Sequence, residues 1–441
     1  MDKETSGDII IKKETHSHID ADAEQRRYFE IERGTAQKSP ALNVALIAVF
    51  FAFIYVFAIL FWVLPDRTLS EEENRALASA PAFSIKALTE KNDKGENVFT
   101  KKFAEYMADQ FPARNFFVGL KAESERFLLK GQNNGVIFAD EGYLVQRFDN
   151  TDLEVLSKNI NYVADVVIAA KEHGIPVTAA VAGRKADVAR RVLPAVYGTE
   201  SSDGAWSVIS SVFSERGVDY IDLREPLLAR FDAGEAVYYR TDHHWTSLGA
   251  YYAYRKICEG SGIAPEDSVA FSPVEVTDSF FGTTHSASGA DWIRPDTIEL
   301  YRFDGDEELV TRRGGGADAI EETIDGLYKF SALDEKDKYS VFLGGNAAWV
   351  DISTARPSTE RERILVIRDS FFNSTAPFFA KNSDLILLDL RPGYYTPREK
   401  GWLGKLCESE GIDRIIILMN VETLGEDCGL RIASRLGFAE D

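Results

Sequence analysis

Cysteine is nearly absent from this chain: only Cys258, Cys407 and Cys428 occur in 441 residues, and no pair has Cys-x-x-Cys spacing. So sparse and odd a set excludes a disulfide scaffold and a thiolate zinc cluster, leaving a single Cys407–Cys428 bridge as the one open pairing. Positive charge is short as well, with 50 Lys and Arg against 71 Asp and Glu and a formal net charge of −21. With no basic stripe to neutralise phosphates, a nucleic-acid partner is excluded. Gly314-Gly315-Gly316 has no Lys-Ser/Thr behind it, so it reads as a turn and not as a phosphate-binding loop. Apolar residues are plentiful at 45%, enough for a sizeable core in a chain longer than one average domain.

Charge is missing altogether from Val44 to Leu64, twenty-one residues that are apolar throughout. At about 1.5 Å per residue they span roughly 30 Å, the thickness of a bilayer core. The forty residues before this run are polar, mixed in charge and without apolar periodicity, and read as a disordered cytoplasmic tail over 1–40. A cleaved signal peptide fits poorly, since the run starts late and no small-x-small site follows it. Arg26, Arg27, Arg33 and Lys38 precede the span, whereas Asp66 and Glu71 to Glu73 follow it. That bias puts the N-terminus in the cytoplasm and the rest of the chain outside a cell membrane crossed once.

Residues 65–130 form a juxtamembrane arm in which Phe103, Tyr106, Phe111 and Phe116 recur at roughly helical spacing. From 131 to 441 the pattern is that of one α/β domain. Short strands are expected over 135–138 and 142–145, helices over 152–172 and 204–216, and strands over 175–182 and 218–223. A β-leaning stretch over 271–345 interrupts the rhythm as an insertion. Three apolar runs then end at polar or glycine residues: 364–367 before Arg368-Asp369-Ser370, 385–390 before Arg391-Pro392-Gly393, and 415–419 before Asn420. Alternating helices and strands predict a doubly wound, mostly parallel sheet, and such sheets build their sites beyond the strands' carboxyl ends.

Two of the six histidines stand together in Thr241-Asp242-His243-His244-Trp245-Thr246. A carboxylate two residues before a histidine can fix its tautomer and leave the far ring nitrogen as a base. Ser370, at a strand-to-helix turn, is a hydroxyl in need of such a base, and its own amide can support an oxyanion. Adjacent histidines in an extended segment point to opposite sides, so Asp242, His243, His244 and His285 are not expected to chelate a metal, and no cofactor is expected. Trp245, Tyr394 and Tyr395 are candidates to stack on sugar rings, His285 to line the site, and Arg391 to hold an anionic group or to orient Asp242.

Together, Asp242-His243-His244-Trp245, Phe342-Leu343-Gly344-Gly345-Asn346 and Ile367-Arg368-Asp369-Ser370-Phe371-Phe372-Asn373-Ser374 resemble the bacterial DHHW protein family. That family is similar to the alginate O-acetyltransferase-like branch of the SGNH (GDSL-type) hydrolases. The resemblance implies an SGNH-like fold in permuted order, the Asp-His pair lying 128 residues (370 − 242) before the serine. It assigns Ser370 as nucleophile, His244 as base and Asp242 as its orienting carboxylate, and leaves His243 at the variable position. By strand order, Gly393 and Asn420 take the places of the superfamily's oxyanion glycine and asparagine. A departure is Arg368, where the Gly-Asp-Ser glycine is expected. The implied activity is transfer or hydrolysis of acetyl groups on a cell-surface polysaccharide, with a membrane-bound O-acyltransferase as partner. A catalytically silent glycan-binding or assembly protein is the alternative that Arg368 motivates.

Overall fold

The computed structural model describes residues 40–70, 75–91, 95, 97–198, 200–354 and 361–439. The tail expected over 1–40 lies outside the described residues except for Pro40, as do Glu73 and Asn74. The chain divides into a unit of residues 1–66 with 110–112 and a unit of 67–109 with 113–441.

Among the described residues of the first unit, one helix, α1 (Pro40–Val63), runs for 24 residues with a mean hydropathy of 3.0. Proline suits its first position, where the amide proton has no partner in any case. At roughly 36 Å it is long enough to cross a bilayer core. Phe61 is its one buried residue; side chains such as Leu46 and Phe50, each 60% exposed, are left largely uncovered by the described residues.

The second unit is built on an eight-stranded sheet. Its strands in chain order are β1 (Val177–Ala182), β2 (Tyr220–Asp222), β3 (Leu309–Gly316), β4 (Ala319–Asp325), β5 (Trp349–Thr354), β6 (Glu362–Arg368), β7 (Ser383–Leu388) and β8 (Arg414–Asn420). They lie side by side in the order β4-β3-β5-β7-β6-β8-β1-β2. The pairs β7·β6, β6·β8, β8·β1 and β1·β2 are parallel, and β5, β3 and β4 extend the sheet antiparallel. Ile364, Val366, Leu385, Leu387, Ile416 and Leu418 face one core; Leu365, Ile367, Ile386, Leu388, Ile415 and Ile417 face the other. Alternate side chains leave a strand on opposite faces, so a sheet covered on both sides needs uninterrupted apolar runs.

Helices supply the covers. α2 (Leu153–Glu172) and α3 (Glu200–Arg216) pack Leu156, Ile160, Val163, Trp206 and Phe213 against one face. α2 starts where the Asp152 carboxylate accepts from the amides of Glu154 and Val155, both at 3.0 Å. α4 (Ser247–Ser261), capped by Thr246, lays Ala250, Tyr254 and Ile257 on the other face.

The stretch expected to be an insertion divides in two. Residues 272–280 and 296–302 pair as a separate ribbon, whereas β3 and β4 join the main sheet. The glycine cluster belongs to β3 and not to a free turn: a Cβ on Gly314 would lie 2.1 Å from the Ala319 oxygen, so only glycine lets β4 approach there. The three cysteines are buried and unpaired, which removes the Cys407–Cys428 bridge.

Candidate active site

Asp296 shapes the loop that runs from the helix over Arg224–Asp232 into α4 by accepting from the Thr241 amide (2.7 Å) and hydroxyl (2.6 Å). The residues after Thr241 bend instead of extending. Asp242 Oδ1 accepts from the His244 amide (3.0 Å) and meets His244 Nδ1 at 2.6 Å. Its Oδ2 accepts from the Thr283 amide (2.8 Å) and hydroxyl (3.0 Å). With an ionised acceptor at Nδ1, the ring proton sits there and Nε2 offers its lone pair. Nε2 lies 2.7 Å from Ser370 Oγ. Burial opposes ionisation of Asp242, but the two imidazoles and the hydrogen bonds from His244 outweigh it and hold the carboxyl well below the usual carboxylate range. Gly282 makes room for this carboxylate, since a Cβ there would lie 2.2 Å from the Asp242 Cβ.

Ser370 follows β6 and opens a single 3-10 turn over Ser370–Phe372. Asp369 pins that turn, Oδ1 accepting from the Phe371 amide (3.0 Å) and Oδ2 from the Asn420 amide at the end of β8 (2.7 Å). Two neighbouring strand ends are thereby tied together beneath the hydroxyl. Arg368, which stands where a glycine is expected, turns into the protein with no exposed surface. Its guanidinium donates to Asn346 Oδ1 (3.1 Å) and the Ala347 carbonyl (3.3 Å), and lies 3.7 Å from Asp389.

The remaining candidates are distributed as follows. Trp245 is fully buried, with its indole N–H donating to the Phe371 carbonyl (3.1 Å) and the Ser374 hydroxyl (3.0 Å), so it underlies the turn that begins at Ser370 and presents no face to a sugar. Arg391 is engaged by Asp389 at 2.6 Å and does not orient Asp242. Tyr394 lies under that guanidinium, 5.3 Å from ring to cation, and is 37% exposed; Tyr395 packs inward against Trp402. Gly393 is exposed and lines, with Tyr394 and Asn346, a cleft of about 660 Å³ whose walls do not include Ser370. The Asn420 side-chain Nδ2 donates to the Gly183 carbonyl (2.7 Å), and its Oδ1 caps the next turn by accepting from the Glu422 amide (2.8 Å). His285 lines a different cavity, of about 320 Å³.

Because the segment bends, the His243 and His244 rings lie on the same side, 3.8 Å apart. The extended geometry that argued against a shared metal is therefore absent. Ligand atoms of Asp242, His243 and His244 come within 4.8 Å of one another. Any ion there would compete for Asp242 with His244 and Thr283, and for His243 Nδ1 with the Thr283 hydroxyl at 2.7 Å. Burial, with His244 alongside, pulls the His243 pKa down to about 4.

Sequence reasoning missed Thr283, Gly282 and Tyr339. The Tyr339 ring stacks on His244 with centroids 4.0 Å apart. Lys185 was missed as well: buried, it donates to the Leu144 (2.7 Å) and Arg240 (3.1 Å) carbonyls and fixes the approach to the motif.

Comparisons with known proteins agree with this architecture. A DHHW family protein from Eubacterium siraeum DSM 15702 is 21% identical, with 68% of this chain and 96% of that one covered at a TM-score of 0.52. Bacillus cereus PatB1, solved with a sulfonyl adduct, is 16% identical, with 67% and 99% covered at a TM-score of 0.54. At these identities the likeness is one of fold. No match was found among curated proteins. Residues 207–388 match the DHHW protein family, the family that the motifs resemble, and the solved structures share this α/β fold.

Proposed function

We propose that this chain is an enzyme anchored in the membrane by α1, with its α/β unit outside the cytoplasm, that moves acetyl groups on or off a cell-surface polysaccharide. The observation that carries the reading is the unbroken chain from Asp242 to His244 (2.6 Å) to Ser370 (2.7 Å). Ser370 Oγ attacks the acyl carbonyl while its proton passes to His244 Nε2, and Asp242 stabilises the imidazolium. The Ser370 amide, with Asn420, holds the oxyanion. The leaving oxygen takes the proton from His244; a sugar hydroxyl or water then receives the acyl group by the reverse sequence. A membrane-bound O-acyltransferase is the partner that would supply acetyl from inside.

The test uses the full chain in detergent micelles and a fluorophosphonate probe, with a sulfonyl fluoride as a second reagent. Labelling is expected in the native chain, absent in Ser370→Ala and at least about 100-fold slower in His244→Ala. No labelling of the native chain would overturn the reading. Loss of labelling or of acetyl-ester turnover on adding a chelator would point instead to a metal-dependent hydrolase using the same three side chains.

A second reading is a catalytically silent glycan-binding protein. It draws on the narrowness of the space bordered by His243, Phe371 and Asn420, about 20 Å³ and room for roughly one water-sized group. Base-labile acetate released from cell-envelope polysaccharide separates the two readings: it changes on deletion of the chain only under the first.

A further inference from the structure

His243 has no part in the chemistry above, although it stands between the proposed orienting carboxylate and the proposed base. Both imidazoles turn Nδ1 toward one oxygen: Asp242 Oδ1 lies 2.6 Å from His244 Nδ1 and 3.7 Å from His243 Nδ1. The two rings, with centroids 3.8 Å apart, stand side by side over a single carboxylate.

That carboxylate also fixes the His243 tautomer, through Thr283. The Thr283 hydroxyl has one proton and gives it to Asp242 Oδ2 (3.0 Å), which can only accept. Toward His243 Nδ1, at 2.7 Å, the same oxygen is therefore the acceptor, and Nδ1 carries the ring proton. With a pKa of about 4 the ring is uncharged at neutral pH, so Nε2 keeps its lone pair. Asp242 thus prepares two Nε2 acceptors, one directly and one by way of Thr283. They differ in what they meet. His244 Nε2 is taken by Ser370 Oγ, and its side chain is only 6% exposed. His243 is 27% exposed, and its Nε2 bonds no group among the described residues. The ring borders a space of about 20 Å³ with Phe371, Asn420 and Glu422, room for one hydroxyl beside the proposed nucleophile.

We infer that His243 holds the acceptor of the acyl group: its Nε2 accepts the O–H on the carbon next to the one being acylated, so the acceptor class is a vicinal diol. This rests on the proposed function. Once Ser370 is acylated its oxygen has no proton for His244, and the attacking hydroxyl takes that place. The attacking oxygen bonds to the acyl carbon as the bond from that carbon to Ser370 Oγ breaks. Its proton passes through His244 Nε2 to Oγ, while His243 neither gains nor loses a proton. Hydroxyls on adjacent sugar carbons are neighbours, as the two rings are, and an acceptor lacking the second O–H leaves His243 Nε2 unbonded.

The test uses the full chain in detergent, p-nitrophenyl acetate as acetyl donor, and two acceptors of similar size, trans-1,2-cyclohexanediol and its monomethyl ether. The burst of p-nitrophenol reports acylation of Ser370, and the acetylated acceptor reports transfer. Per hydroxyl, the native chain should use the diol with a kcat/KM at least about fivefold above that of the ether, as one hydrogen bond to the acceptor is lost. In His243→Phe, which keeps a ring against His244, the burst should stay within about threefold and the diol-to-ether ratio should fall to about one. Thr283→Val, which cannot hold the tautomer, should lower the ratio as well, and Thr283→Ser should restore it. A merely structural role for His243 would slow both acceptors alike and keep their ratio. A native burst followed by hydrolysis alone, a native ratio near one, or a ratio that survives both His243→Phe and Thr283→Val would overturn the inference and leave the nucleophile assignment standing. Absence of the native burst together with absence of fluorophosphonate labelling would overturn both.

Discussion

Tyr339 lies flat on His244, with ring planes 6° apart, while its hydroxyl reaches the Ser374 hydroxyl at 3.0 Å and the Ser370 carbonyl at 3.3 Å. One side chain therefore sets the plane of the proposed base and braces the turn that carries the proposed nucleophile. Tyr339→Phe keeps the stack and loses the brace; labelling by fluorophosphonate should slow by about two- to tenfold. Tyr339→Ala frees the ring and should slow it by about 100-fold, with a stability loss of about 3 kcal/mol in urea.

Gly282 predicts a steric lesion in the orienting carboxylate. Gly282→Ala places a carbon 2.3 Å from Asp242 Oδ2, and the carboxylate must leave either Thr283 or His244. Labelling of Ser370 should fall by about 100-fold or more, as expected when a histidine loses its tautomer partner. Gly204, inside α3 with nothing within 4 Å of a built Cβ, is the control: Gly204→Ala should leave labelling intact and raise stability by about 0.5–1 kcal/mol.

His243 gives the protein an acid-sensitive stability. Its folded pKa is near 4 against an ordinary 6.5, so between those values the unfolded chain holds a proton that the folded one lacks. Stability must then rise with pH across this window and fall as pH drops through it. The side chain is 27% exposed, so the loss is discounted to about 1–2 kcal/mol between pH 6.5 and 4. His243→Gln, which keeps a group able to bond Thr283, should remove that portion of the slope in urea midpoints measured from pH 7 to pH 4. Parallel curves for the two proteins would refute the assignment.

Arg368 stands where the family's glycine is expected, yet replacing it with that glycine should do harm. Its guanidinium fills buried space and bonds Asn346, which in turn accepts from Asn373 (3.0 Å) at the end of the turn that carries the proposed nucleophile. Arg368→Gly leaves a cavity and a buried Asp389 held by Arg391 alone, costing about 3 kcal/mol or more. Fluorophosphonate labelling should not exceed that of the native chain; a gain would mean that the arginine suppresses the nucleophile.

What the sequence makes legible follows from periodicity. α2, β1, β6, β7 and β8 announce themselves because a strand covered on both faces has no room for a polar residue, and a helix on a sheet repeats its apolar side every third or fourth position. β3 and β4 are less legible, since they lie at the sheet's edge and Arg312, Arg313 and the glycine run break their pattern. Within the site, Asp242, His244 and Ser370 can be named from local spacing and the family pattern. The groups that hold them cannot: Thr283 meets Asp242 from 41 residues away, and Tyr339 meets Ser370 from 31. Nor does adjacency fix direction, as His243 and His244 show; the bend that puts their rings together depends on Asp296, 55 residues beyond Thr241.

The position of β8 has a consequence for how the molecule comes into being. It is the last strand of the sheet to be synthesised, yet it lies between β6, which leads to Ser370, and β1, on the side that carries Asp242 and His244. A nascent chain released before Arg414 holds the side that carries Asp242 and His244 and the side that carries Ser370 as two ribbons with open edges and no strand to join them. Such a product has open strand edges on both sides of the gap, the edges that favour aggregation, so completion of synthesis is itself the step that brings His244 to Ser370.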